Sequence, residues 1–194
     1  MTSTSEDIAR AWRRFLQDYE LARHYKLPYT LHSEGPLNRN PVLERLLPAL
    51  LHVKLVGLLD EALMHLVESK GLVLPTKHGA LGARLLFLDG QGILSDFDKL
   101  KLIKDRRNDL AHESNAWTSW EQLEADISTV DAELQHFGYV GRRPTYEYFG
   151  ERSAVRGSLL PGVLWEREYR FGLKQDGREI VAFSSVERIM KDSE

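Results

Sequence analysis

The 194-residue chain carries a formal net charge of −3, 42% hydrophobic and 28% charged residues, and no cysteine. This composition excludes a disordered chain, a general nucleic-acid coat that needs a basic surface, and any disulfide, thiolate metal site or cysteine nucleophile. The length fits one medium domain, or one domain with a small appendage.

The first thirty residues lack a signal-peptide pattern, with Arg10, Arg13 and Arg14 set among apolar positions, so no export is expected. Ile8, Ala11, Trp12, Phe15, Leu16, Tyr19 and Ala22 recur at three- and four-residue steps, which predicts a first helix with Ser5 as its N-cap. Residues 27–40 hold Pro28, Gly35, Pro36 and two asparagines and predict a long connection. Asn40-Pro41 is a helix start, since proline lacks only an amide that the first turn leaves unpaired. The helix that follows carries a broad leucine face, from Leu46 and Leu47 to Leu63 and Leu66. Pro48 predicts either a kink or a later start, and Gly71 predicts its end. Charges at Glu44, Arg45, Lys54, Asp60 and Glu61 interrupt that stretch, so it does not read as a membrane span, and the expected location is the cytoplasm.

A shorter helix is predicted over 79–88 and a fourth over 95–111, parted by a Gly90-Gln91-Gly92 turn. Thr118 with Glu121 has capping-box spacing, and Trp120, Leu123, Ile127, Val130, Leu134 and Phe137 predict a fifth helix that runs to Gly138. Beyond Gly141 the pattern favours strands over 146–155 and 164–173, then a Gln175-Asp176-Gly177 hairpin turn leading to 178–183. The expected architecture is mainly α, a bundle of about five helices over 1–140. A small antiparallel sheet over 141–194 is expected to pack on the helices or on a partner subunit.

On the fourth helix, Phe97, Leu100, Ile103, Arg107, Leu110 and Ala111 share one side, which puts a cation in the apolar stripe. A buried guanidinium needs a carboxylate, a water-filled groove, a subunit boundary or an anionic ligand. A structural pairing of Arg107 with Asp105, Asp109 or a more distant acid is one reading; a functional site is the other. Asn108 and His112 lie four residues apart on the neighbouring strip, and Asp109 is placed to orient the His112 ring.

Arg107-Asn108 followed by His112 resembles the Arg-polar-x-x-x-His motif of the HEPN superfamily, and the pattern over 81–114 is similar to the latter half of such domains. The resemblance implies a HEPN-like helical bundle that dimerises by apposing its motif helices, so that two arginines and two histidines line one cleft. It also implies metal-independent RNA cleavage, in which the 2′-hydroxyl attacks the adjacent phosphate and leaves a 2′,3′-cyclic phosphate and a 5′-hydroxyl. His112 would move protons, Arg107 would stabilise phosphate charge and Asn108 would orient one of them. Asp109 and Asp105 would tune the site, and Lys104 and Arg106 would steer RNA. No metal or other cofactor is expected. The expected partners are RNA, a second copy of the chain, and a protein antitoxin or regulator such as a toxin-antitoxin or phage-defence setting would supply. Other superfamily members are noncatalytic dimerisation or RNA-binding modules, and a regulator family related to the mannitol operon repressor has a similar Arg-Asn segment ending in Ala-His.

His24, His32, His65 and His78 lack the spacing of a helical metal site and are expected on the surface or in packing. Trp120 is expected in the core, and the strand aromatics Tyr146, Tyr148, Phe149, Trp165, Tyr169 and Phe171 are expected to pack.

Overall fold

The computed structural model describes residues 4–24, 41–74, 80–113, 115–152, 156–157 and 161–190. It contains five helices followed by a small antiparallel sheet: α1 Ser5–His24, α2 Pro41–Ser69, α3 Leu81–Gly90, α4 Phe97–His112 and α5 Trp120–His136, then β1 Glu147–Arg152, β2 Arg156–Gly157, β3 Val163–Gln175 and β4 Arg178–Met190. The chain divides into two compact units: residues 1–16 with 41–143, and residues 17–40 with 144–194. The division falls inside α1, whereas the sequence alone placed a single boundary near residue 140.

The helical unit is built on apolar stripes at helical spacing. Trp12, Phe15 and Leu16 of α1, Leu55, Leu59 and Leu63 of α2, and Leu123, Ile127 and Val130 of α5 are all buried. Leu85 and Leu88 of α3 and Leu100 and Ile103 of α4 complete this core. Their burial is the main stabilising term of the unit, at about 25 cal/mol for each Å² of apolar surface taken from water. α2 runs unbroken through Pro48, so the start at Pro41 holds and the helix does not begin at the second proline. Asn40, the N-cap expected there, lies outside the described residues.

Two caps differ from their expected positions by one residue. Thr4, not Ser5, caps α1: its Oγ1 accepts from the Asp7 amide at 3.2 Å, and Asp7 Oδ2 accepts from the Thr4 amide at 3.1 Å. Ser119, not Thr118, caps α5 by accepting from the Gln122 amide at 3.1 Å. In each case two hydroxyl residues are adjacent, and the one whose oxygen reaches the first-turn amide takes the role. α2 ends two residues before Gly71 and α5 two before Gly138.

In the second unit, β1 and β2 pair along one edge of β3, while β4 pairs antiparallel along the whole of the other. The β3–β4 turn is the expected one: Asp176 and Gly177 both have positive φ, 52° and 73°, the geometry of a tight hairpin matched to strand twist. β3 and β4 are longer than the sequence pattern indicated. Ile180 is an extra residue in β4, because Leu173 faces Val181 whereas Lys174 faces Glu179. Beside this bulge the strands approach closely at Gly172, where a Cβ would fall 1.9 Å from the Val181 carbonyl oxygen. Phe149 is buried, and Phe171 stacks on Phe183 with ring centroids 5.5 Å apart.

Candidate nucleic-acid site on α4

α4 is held at its start and its middle by carboxylates of α5. The buried Glu133 accepts from the Ser95 amide at 3.0 Å and from the Ser95 hydroxyl. Asp96 then caps the helix by accepting from the Lys99 amide at 3.1 Å. Nearly two turns before the end of α4, Arg106 donates to Asp126, whose other oxygen accepts from Gln122 at 3.1 Å. His52 of α2, fully buried, brings Nε2 to 3.0 Å from the Asp126 oxygen that Arg106 donates to. That contact is close but not aligned as a hydrogen bond, and Nδ1 of His52 has no hydrogen-bond partner. We read it as an electrostatic contact. Burial works to raise the Asp126 carboxyl, but the contacts from His52 and Arg106 outweigh it and hold the group below its ordinary value.

With the helix fixed in this rotation, the motif residues divide between its flanks. Arg107, Asn108 and Lys104 line a groove of about 570 Å³ with Val53, Val56, Gly57 and Asp60 of α2 and the first turn of α3 at Leu81 and Gly82. Asp60 is committed to Arg84, which donates to it from Nε at 3.1 Å and from a terminal nitrogen. Lys104 lies 2.6 Å from Asp105. Arg107 is half-buried and makes no ion pair among the described residues; its one hydrogen bond goes to the side-chain oxygen of Asn108 at 3.4 Å.

The opposite flank forms a second groove of about 420 Å³, lined by Leu102, Leu110, Ala116 and Trp117, bordered by Asp105, Asp109 and Glu113, and reached by Arg106. Those three acids are spaced four residues apart and make an acidic line along α4. Leu102 and Trp117 are exposed there, at 60% and 68%.

Arg107, Asn108 and Lys104 are thus brought together. His112 is exposed at the end of α4 and lines neither groove, and Asp109 makes no hydrogen bond to it among the described residues. Arg106, expected to steer RNA, is turned instead to the Asp126 carboxylate. Arg107 is half-buried, and the arginine paired with a buried acid is its neighbour Arg106. His52 and Asp126 were not singled out from sequence. The signal was present, because His52 falls on the same buried stripe of α2 as Pro48, Leu51, Leu55 and Leu59.

The remaining histidines serve local contacts. His65 Nδ1 lies 2.7 Å from the Tyr139 hydroxyl, and His24 stacks on Tyr148 with centroids 5.6 Å apart. His32 and His78 lie outside the described residues. Trp120 is buried, as expected, and donates to Glu44 at 2.9 Å. Among the described residues no three His, Asp or Glu side chains are grouped as metal ligands would be, and no helix is long and apolar enough to cross a membrane. In comparisons with protein-family models, curated proteins and solved structures, nothing matches this chain.

Proposed function

We propose that the chain is a metal-independent endoribonuclease of the HEPN type that works as a homodimer. Arg107 carries this reading: a half-buried guanidinium without a carboxylate partner among the described residues, in a groove it shares with Lys104 and Asn108. Such a cation gains most from an anion of the right reach, and a phosphodiester supplies one that takes paired N–H donors. In the proposed reaction the 2′-oxygen bonds to phosphorus and the bond to the 5′-oxygen breaks. The 2′-hydroxyl proton leaves to a base and the departing oxygen gains a proton. Arg107 and Lys104 would stabilise the charge that grows on the phosphoryl oxygens. His112, exposed at the helix end, would transfer protons once apposed motif helices bring it to a phosphate held by the second copy.

Purified protein incubated with single-stranded and structured RNA in excess EDTA is expected to give 2′,3′-cyclic phosphate ends, and His112→Ala is expected to give none. A mixture of Arg107→Ala and His112→Ala chains, each strongly impaired alone, should recover part of the activity if one site draws on both copies. Absence of cleavage across a broad RNA panel, in a protein that still dimerises, would refute the catalytic reading.

A noncatalytic dimerisation, RNA-binding or regulatory module is the second reading. It is favoured by His112 lining neither groove and by the acidic line of Asp105, Asp109 and Glu113, which repels phosphate from one flank of the motif helix. Under it, Arg107→Ala weakens RNA binding and no substitution changes RNA integrity.

A further inference from the structure

β4 presents an outer edge with no strand beside it among the described residues, thirteen residues long from Arg178 to Met190. Proteins usually guard such edges with short strands, charges, proline or bulges. Here a bulge at Ile180 lies near one end of β4 and a register shift opposite Ile189 and Met190 near the other, and the six residues between them from Val181 to Val186 contain neither charge nor proline. Each β4 residue on one face of the sheet is known from its partner in β3: Glu179, Ala182, Ser184, Val186 and Arg188 oppose Lys174, Gly172, Arg170, Glu168 and Glu166. All five are exposed.

That row is complementary to itself when reversed about Ser184. A second β4 laid antiparallel along the edge, related by a two-fold axis perpendicular to the sheet, keeps this face on the same side. Serine then meets serine, Ala182 meets Val186 of the other copy, and, with the bulge taking up one position, Glu179 meets Arg188 at both ends. Each of those charges already has an opposite neighbour in its own chain: Glu179 takes a hydrogen bond from Arg170, and Arg188 donates to Glu166 at 2.8 Å. The pairing would join these into a row of four alternating charges at each end.

We propose that β4 is a self-association edge, and that two copies of the chain pair through it into one continuous antiparallel sheet centred on Ser184. The pairing satisfies the outward amides and carbonyls of the edge. It uses a surface separate from α4 and does not depend on whether α4 cleaves RNA.

The native chain has no cysteine, which makes the test direct. Directly opposed strand residues have Cα atoms about 4.5 to 5.5 Å apart, within disulfide reach. Full-length Ser184→Cys should therefore form a covalent dimer under mild oxidation, while Leu86→Cys, at an exposed position of α3, forms only the collisional background. Mixed Ala182→Cys and Val186→Cys chains should cross-link to each other more than either does to itself. Ser184→Pro should lower the mass in sedimentation at micromolar concentration, from two chains to one where β4 is the sole contact, or from a larger species to the α4 dimer where α4 pairs as well. If Ser184→Cys cross-links no more than Leu86→Cys, the proposal is overturned, including the case in which dimers persist through α4. It is equally overturned if folded Ser184→Pro keeps the whole wild-type mass, so that no β4-dependent association is lost. Should the proline variant fail to fold, the cysteine pair decides, because those substitutions keep every strand amide.

Discussion

The two flanks of α4 differ more than their sequence proximity suggests. One holds Lys104, Arg107 and Asn108 over a groove whose single carboxylate, Asp60, is already paired. The other holds Asp105, Asp109 and Glu113 beside exposed Leu102 and Trp117. At 3.6 residues per turn, neighbours in the chain point about 100° apart, so a contiguous motif is dealt to opposite surfaces and the rotation of the helix decides which residues share one. That rotation is set from outside the motif, by Glu133 and Asp126 of α5.

The strongest way to break the contrast is to remove its anchor. Asp126→Ala leaves Arg106 and His52 without their carboxylate, and chemical denaturation is expected to show a loss of about 3 kcal/mol, the scale for one partner lost from a buried pair. A loss below half of that would mean that the apolar contacts of α4 alone fix its rotation. The same group gives the contrast a pH signature. Because the folded-state value of Asp126 is lowered, its contribution is fully present above the ordinary carboxylate range and is lost as pH falls through the lowered value. Asp126→Asn should remove that part of the acid sensitivity, so stability measured from neutral pH downwards should flatten relative to wild type.

Arg107→Ala addresses the basic flank directly. If the anion is a phosphate in reaction, turnover on RNA should fall by roughly 100-fold, with stability unchanged within about 0.5 kcal/mol. A large stability loss with RNA handling intact would make Arg107 a structural cation instead. The smallest expected effects belong to the opposite flank. Trp117→Ala should leave the melting transition nearly in place, since a side chain 68% exposed contributes little packing. Asp109→Asn should change RNA affinity by less than about 3-fold, and in the upward direction, because it removes a partly screened negative charge beside the site.

How far the sequence could be read follows the same physics. All five helices were visible because apolar positions recur at a period that packing must obey, and the hairpin was visible because Asp-Gly supplies two positive φ values. The extension of β4 to Met190 was not, because the sequence from Ser184 to Met190 carries no regular polar-apolar alternation. At the site, an arginine in the apolar stripe could be recognised, but the partition between Arg106 and Arg107 depends on an acid twenty residues on, in another helix. His52 was passed over for want of a motif around it, although its place among buried leucines marked it as a polar group that the core must accommodate.

The Asp126 carboxylate touches His52 of α2, Arg106 of α4 and Gln122 of its own helix α5. A single acceptor serving three helices cannot be released by one of them alone without leaving the others with unmet charge or donors. α2, α4 and α5 should therefore open as one cooperative unit, with their slowest-exchanging amides sharing one protection free energy in native-state hydrogen exchange.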